Sequence, residues 1–322
     1  MTRAHLYNAV AVAVALATSV GLGVVTTKRA ASMRVVHKQS LAGVAEVTLS
    51  GGAHALRDGS GTLVPLIDYR RIASATTLSD AVLWELCEHE RIVAYTARSS
   101  ARRLTGYRYA GKAGIESLGD VESMLALKPD LLIVNHYTDP GYIAHLRDKG
   151  IAVFDLGEMR GLSTLTRSLR TLARIVGHME LGERMAERIE RGMRSLAADI
   201  PEAGRARALY LSSYGSEVYS AGDDTSYHDV LVAAGLRDAA SGKFRDFPAL
   251  SAEQMLALDP DLIVTKTGMG TQLCQHFGLQ ALRACQTRGS VIELDPELLD
   301  DPGAGMLEAA ETLFSLAHPG AR

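Results

Sequence analysis

Beyond residue 45 the chain alternates short apolar runs with longer amphipathic stretches, as expected where strands and helices follow one another in a parallel α/β arrangement. Runs at Arg71-Ile72-Ala73-Ser74, Arg91-Ile92-Val93-Ala94, Leu131-Leu132-Ile133-Val134 and Ala152-Val153-Phe154 predict strands covered on both faces. Between them, helices are predicted from about residue 78 to 86, from 121 to 127 with Pro129 as the stop, and from 142 to 149 with Gly150 behind. Ahead of this lobe, residues 44 to 66 alternate apolar segments with Gly51-Gly52 and Asp58-Gly59-Ser60-Gly61, which predicts strands joined by tight turns.

From residue 162 to 200 the signals are helical only, interrupted at Gly177 and closed by Pro201. Met185, Ile189, Met193 and Leu196 mark one apolar helix face, with Glu183, Glu187 and Arg191 on the other. A run of about twenty residues is roughly 30 Å long, enough for a stiff connector along a small lobe. The α/β pattern then restarts. A strand is predicted at Ala208-Leu209-Tyr210-Leu211, helices at 227 to 234 and 252 to 258, and a strand at Leu262-Ile263-Val264.

The second half also repeats the first letter by letter. V-E-S-M-L-A-L-K-P-D-L-L-I-V-N from Val121 aligns without gaps on A-E-Q-M-L-A-L-D-P-D-L-I-V-T-K from Ala252. Met and Leu supply a helix face, Pro ends the helix, Asp suits the turn and the apolar run is a buried strand. Glu122 and Glu253 have no such structural need, beyond the tenths of a kcal/mol a carboxylate gains at a helix start.

Near the N-terminus, Arg3 precedes an uncharged stretch from residue 6 to 25, followed by Lys28-Arg29. This predicts an export signal, either cleaved or kept as a membrane anchor. None of the three cysteines, Cys87, Cys274 and Cys285, follows the stretch, so anchoring through a lipidated cysteine is not expected. Cys274 and Cys285 are near enough for a bridge, which sequence alone leaves open, and Cys87 reads as a small buried apolar residue. The expected organisation is signal or anchor at 1–29, spacer at 30–45, first α/β lobe at 46–160, connecting helices at 161–201 and second α/β lobe at 202–322.

A net charge of −3 and a pI near 6.4 give no basic field for nucleic acid. Arg98, Arg102, Arg103, Arg108 and Lys112 crowd one stretch without an acid, which reads as a solvated basic loop. No nucleophile elbow, phosphate-cradling loop or zinc-hydrolase helix is present, so no enzyme is expected.

From about residue 56 onward the chain resembles the helical-backbone, or class III, periplasmic binding proteins that serve ABC importers of cobalamin, ferric siderophores and haem. The resemblance rests on D-G-S-G-T-L-V-P-L-I-D-Y-R-R-I-A-S at Asp58, the paired L-x-P-D segments and Tyr219-Ser220-Ala221-Gly222. It implies two similar Rossmann-like lobes joined by a long backbone helix, in a monomer without a resident cofactor. It also implies that Glu122 and Glu253 dock onto the permease, one per lobe, as a bidentate electrostatic footprint.

The resemblance further implies a ligand held in the inter-lobe cleft by loops at the carboxyl ends of the strands. Candidates by position are Thr76, Thr77, Arg98, Tyr107, Tyr109, Ile115, Glu116, His136 and Tyr137 in the first lobe. In the second they are Tyr214, Tyr219, Tyr227, Arg245, Phe247, Lys266 and Met269. Tyrosines and arginines suit a flat or chelated ligand bearing carboxylates. Haem-binding members often carry an axial Tyr seven residues before the first docking glutamate; Ile115 stands there instead. A corrinoid or ferric siderophore, which brings its own chelation, therefore ranks above haem. His136, His145, His228 and His276 are scattered singly, which does not suit a bare metal ion. A membrane-tethered sensor or adaptor of the same fold is the remaining alternative.

Overall fold

A computed structural model describes residues 37–41, 44–276, 278–299 and 305–320. The expected signal or anchor at 1–29 lies outside them. No helix among the described residues is long and apolar enough to cross a membrane.

The described residues divide into two compact units, with the boundary between Arg57 and Asp58. In the first, strands β1 (His37–Leu41), β2 (Val44–Thr48) and β3 (His54–Arg57) form an antiparallel meander. Strand β1 and the start of β2 fall within the segment expected as a spacer, 30–45. The sequence His-Lys-Gln-Ser-Leu has little apolar pattern, and backbone pairing with β2 makes it a strand.

The second unit begins with a turn built by Asp58, whose Oδ1 accepts the N–H groups of Ser60 at 3.0 Å and Thr62 at 2.8 Å before β4 (Leu63–Pro65). The other oxygen of Asp58 receives Arg147 at 2.8 Å. Gly59 has no room for a side chain, because a Cβ would fall 2.4 Å from the Cα of Gly157.

Five strands, β5 (Ile72–Ser74), β6 (Ile92–Thr96), β7 (Ala113–Ile115), β8 (Leu131–Val134) and β9 (Ala152–Asp155), form the sheet of the first lobe. All are parallel, in the order β7-β6-β5-β8-β9. The first strand is central, so the chain fills one side, then crosses back to fill the other. The resulting switch point between β5 and β8 is where such sheets open a crevice at their carboxyl ends. Helices α1 (Thr77–Leu86), α2 (Ala97–Ser100), α3 (Val121–Ala126) and α4 (Pro140–Asp148) link the strands. Every residue of β8 is buried, which accounts for its uninterrupted apolar run.

The connector is a helical hairpin, α5 (Leu162–Val176) and α6 (Met179–Ser195), broken at Gly177, whose φ of 89° ends α5 in a left-handed cap. The two helices approach closely, since a Cβ on Gly182 would lie 2.2 Å from that of Ala173. Arg170 crosses between them to Glu183 at 2.8 Å and Glu190 at 2.9 Å. The predicted apolar face is present, with Ile189 and Met193 buried. The N–H of Leu162, which opens α5, donates to Asp229 of the second lobe at 2.6 Å.

The second lobe contains β10 (Arg207–Tyr214), β11 (Glu217–Ser220), α7 (Ser226–Ala233), β12 (Arg237–Asp238), α8 (Ala252–Leu258) and β13 (Leu262–Lys266). It continues with α9 (Gly270–His276), α10 (Arg283–Gln286), β14 (Val291–Leu294), α11 (Pro296–Leu299) and α12 (Met306–Ala317). Strand β10 pairs in parallel with β12 and β13, and β13 with β14, while β11 runs antiparallel to β10. Cys274 and Cys285 form a disulfide, and Cys87 is a buried free thiol.

Candidate functional site

A cavity of about 330 Å³ opens at the carboxyl ends of the first lobe's strands. Its walls follow β5 (Thr76, Thr77), β6 (Arg98), β8 (Asn135, Tyr137) and β9 (Glu158), so it sits at the switch point. Four expected residues, Thr76, Thr77, Arg98 and Tyr137, meet there. The Thr76 hydroxyl is already committed as the cap of α1, accepting the N–H of Ser79 at 2.9 Å. Tyr137 is 75% exposed and offers an open ring face. Asn135, Glu158 and Met159 also line the cavity and were not foreseen. The rule that picked His136 and Tyr137, position just past a strand, finds them when applied to Asn135 and to the loop after β9.

His136 is exposed beside Tyr137, with ring centroids 3.9 Å apart. Tyr107, 73% exposed, and Glu116, also exposed, do not line the cavity. Two expectations in this lobe are corrected. Tyr109 is buried, edge-on to Tyr95 at 4.7 Å and to Trp84 at 6.1 Å, and so belongs to the lobe's interior. Ile115 ends β7 and packs against the lobe's apolar core.

In the second lobe Tyr214 ends β10 at 84% exposure, and Phe247 is 49% exposed. The Tyr219 hydroxyl donates to Glu217. Tyr227 is partly buried and stacks on Tyr210 at 4.1 Å, with its hydroxyl donating to the Leu299 carbonyl at 2.7 Å. Met269 packs on this lobe's core, and Lys266, at the end of β13, already has an interaction partner.

Arg245 is exposed yet paired with Asp224. Arg160, two residues past Glu158 in the cavity wall, bonds Glu158 at 2.6 Å through Nε. Its Nη1 faces Asp224 and Asp246 across the lobes at 3.8 Å each. Segments 222–224 and 244–246 are cross-bonded through Gly222 N to the Asp246 carbonyl at 3.0 Å and Asp246 N to the Asp223 carbonyl at 3.1 Å. They hold Asp224 and Asp246 at φ of 64° and 56°. For Arg245, expected among the ligand residues, the protein supplies a carboxylate partner itself.

The Nδ1–H of His228 donates to buried Asp238 at 2.9 Å, a bond that raises the imidazole above its usual range. Among the described residues, no three His, Cys, Asp or Glu side chains converge as a metal-ligand group.

Glu122 and Glu253 each occupy the second position of their helices, α3 and α8, and both are exposed. The capping work falls to other residues. Asp120 accepts the N–H of Ser123 at 3.0 Å, and Ser251 exchanges a capping box with Gln254. The Ser251 hydroxyl also holds the Glu253 carboxyl below its ordinary range.

The family model described as periplasmic binding protein matches residues 72–298. Among curated proteins, a cobalamin-binding protein of Halobacterium salinarum is 23% identical over 270 residues, 81% of this chain and 73% of that one. An uncharacterised ABC transporter substrate-binding lipoprotein of Bacillus subtilis, YvrC, is 24% identical over 220 residues, 64% of this chain and 68% of its own. Among solved structures, the periplasmic heme-binding protein RhuT from Roseiflexus superposes with a TM-score of 0.67 at 24% identity, covering 79% of this chain and 99% of that one. The periplasmic vitamin B12 binding protein BtuF of Vibrio cholerae gives 0.62 at 19% identity, covering 78% and 98%. At these identities the structural likeness establishes the fold, two Rossmann-like lobes of the class III kind.

Proposed function

The chain belongs to the periplasmic binding protein family, and from that premise we propose that it captures a corrinoid or ferric siderophore in its inter-lobe cleft and delivers it to an ABC permease and ATPase. The family consists of transport receptors and not enzymes. Its place of work is the outer side of the cytoplasmic membrane, reached through the apolar N-terminal stretch.

The observation that carries the ligand class is the set of aromatic side chains left open at the strand ends. Tyr137, Tyr214 and Phe247 are 75%, 84% and 49% exposed, although burying each would be favourable. Such faces suit the flat or ring-rich surface of a chelate that already holds its metal. Titration against cyanocobalamin, ferric siderophores, haem and free Zn²⁺ or Mn²⁺, followed by thermal shift, tests this reading. Stabilisation by a free ion alone would overturn it.

Haem is the second reading, favoured by the adjoining His136 and Tyr137 rings at the cavity. A Soret band that shifts in Tyr137→Phe or His136→Ala would identify it.

Delivery is assigned to Glu122 and Glu253, exposed at matching positions in two lobes joined by a braced hairpin. Reversing both to Lys should abolish uptake while ligand affinity persists. Undiminished uptake in that double variant would remove the docking role.

A further inference from the structure

The cationic groups of the cleft are already spoken for. Around the point where the first lobe's cavity wall meets the second lobe, two guanidiniums, Arg160 and Arg245, face three carboxylates, Glu158, Asp224 and Asp246. Arg98 and Lys266 have interaction partners of their own. Asp223 stands beside this network, held by Ser241 at 2.7 Å and by the N–H of Gly242 at 2.9 Å.

An anionic chelate entering here would have to displace a carboxylate from its guanidinium, or lie against carboxylates in a partly desolvated space. Like charges across an interface oppose binding, and the carboxylates here outnumber the guanidiniums three to two. Amide or hydroxamate oxygens and aromatic faces meet no such opposition.

Resting on the metal-chelate reading above, we propose that the cleft selects its cargo by charge: it takes an uncharged or cationic chelate and rejects polyanionic ones, with Asp224 and Asp246 as the residues that set this preference.

The test uses the full chain and four probes: cyanocobalamin, a cationic ferric trihydroxamate, an anionic ferric tricatecholate and haem with its two carboxylates. At least one of the first two should bind at least about tenfold more tightly than either of the last two. In D224N/D246N that ratio should narrow by about tenfold, since Asn tolerates the left-handed backbone as Asp does. Raising the salt concentration should strengthen the anionic probes in the wild type by screening the repulsion. Tighter binding of the tricatecholate or haem, or an unchanged ratio in the double variant, would overturn the charge preference and leave the metal-chelate reading intact. Failure of all four to bind would overturn both.

Discussion

Asp130 and Asp261 make the same bond in the two lobes: each carboxylate accepts backbone N–H from the arginine that leads into the neighbouring strand. Asp130 takes those of Arg70 at 2.7 Å and Arg71 at 2.9 Å, and Asp261 takes that of Arg207 at 2.9 Å. The arginines return the favour. Arg71 donates to the carbonyls of Leu127 and Lys128, and Arg207 to that of Leu258 at 2.6 Å, so each guanidinium closes the end of the helix whose start carries Glu122 or Glu253. Replacing Asp130 by Ala removes two charge-assisted bonds at a partly exposed site and should cost about 1–2 kcal/mol, with Asp261→Ala costing less. Urea unfolding of the two variants checks the order, and the reverse order would contradict the shared role.

This pair also shows what was legible in the sequence. The repeated L-x-P-D announced two matching lobes through helix face, helix stop and buried strand, all of which are local. It could not show why the Asp recurs, since the N–H groups it accepts lie 59 and 60 residues away in the first lobe. The same limit separates Tyr107 from Tyr109. Two residues apart, they would share a face in a strand, and it is the short 3-10 turn holding them that leaves one exposed and the other buried. Strand ends mark the cleft, whereas the pairing that fixes Arg245 is not local, its carboxylate partner lying twenty-one residues away.

Asp80 makes the stability depend on pH. It is fully buried in α1, and desolvation pushes its carboxyl up to about 6, against a lowering by hydrogen bonds from Ser74, Thr96 and Ser99. Unfolded, it titrates near 3.8, so between about pH 4 and 6 the folded chain keeps a proton that the unfolded chain has released. Stability attributable to this group therefore falls as pH rises through that window, by about 3 kcal/mol in all. Asp80→Asn should be more stable than the wild type at pH 7 and lose that advantage near pH 4. Parallel denaturation curves across the range would sink the assignment.

The cysteines should separate into two chemical classes. Cys274–Cys285 closes a short loop, eleven residues apart in sequence, and is expected to contribute roughly 2–3 kcal/mol by restricting the unfolded chain. Burial pushes the Cys87 thiol up to about 11, so it should stay inert in the native protein. Thiol titration without reductant should find no reactive group when folded and one in denaturant. Cys274→Ser with Cys285→Ser should lower the melting temperature, and an unchanged value would show the bridge to be dispensable.

Glu297 ties the second lobe to the first through residues 102–104. Its carboxylate accepts the N–H groups of Arg103 and Leu104, its backbone carbonyl receives Arg102, and neighbouring Asp295 bonds Arg103 at 2.6 Å. Together with the α5–α6 hairpin, the bond from Leu162 to Asp229 and the Arg160 contacts with Asp224 and Asp246, this ties the lobes at more than one place, which opposes hinge closure. The radius of gyration from X-ray scattering should accordingly change little when ligand binds. Glu297→Ala leaves two backbone N–H groups without their acceptor, so hydrogen exchange at Arg103 and Leu104 should accelerate by about tenfold, equivalent to ~1.4 kcal/mol of local stability. Ligand should also dissociate faster from the variant, because one wall of the cleft is then free to part from the other. Exchange rates matching the wild type would show that the contact is incidental, and a large ligand-driven compaction of the wild type would show that the lobes are not tied at all.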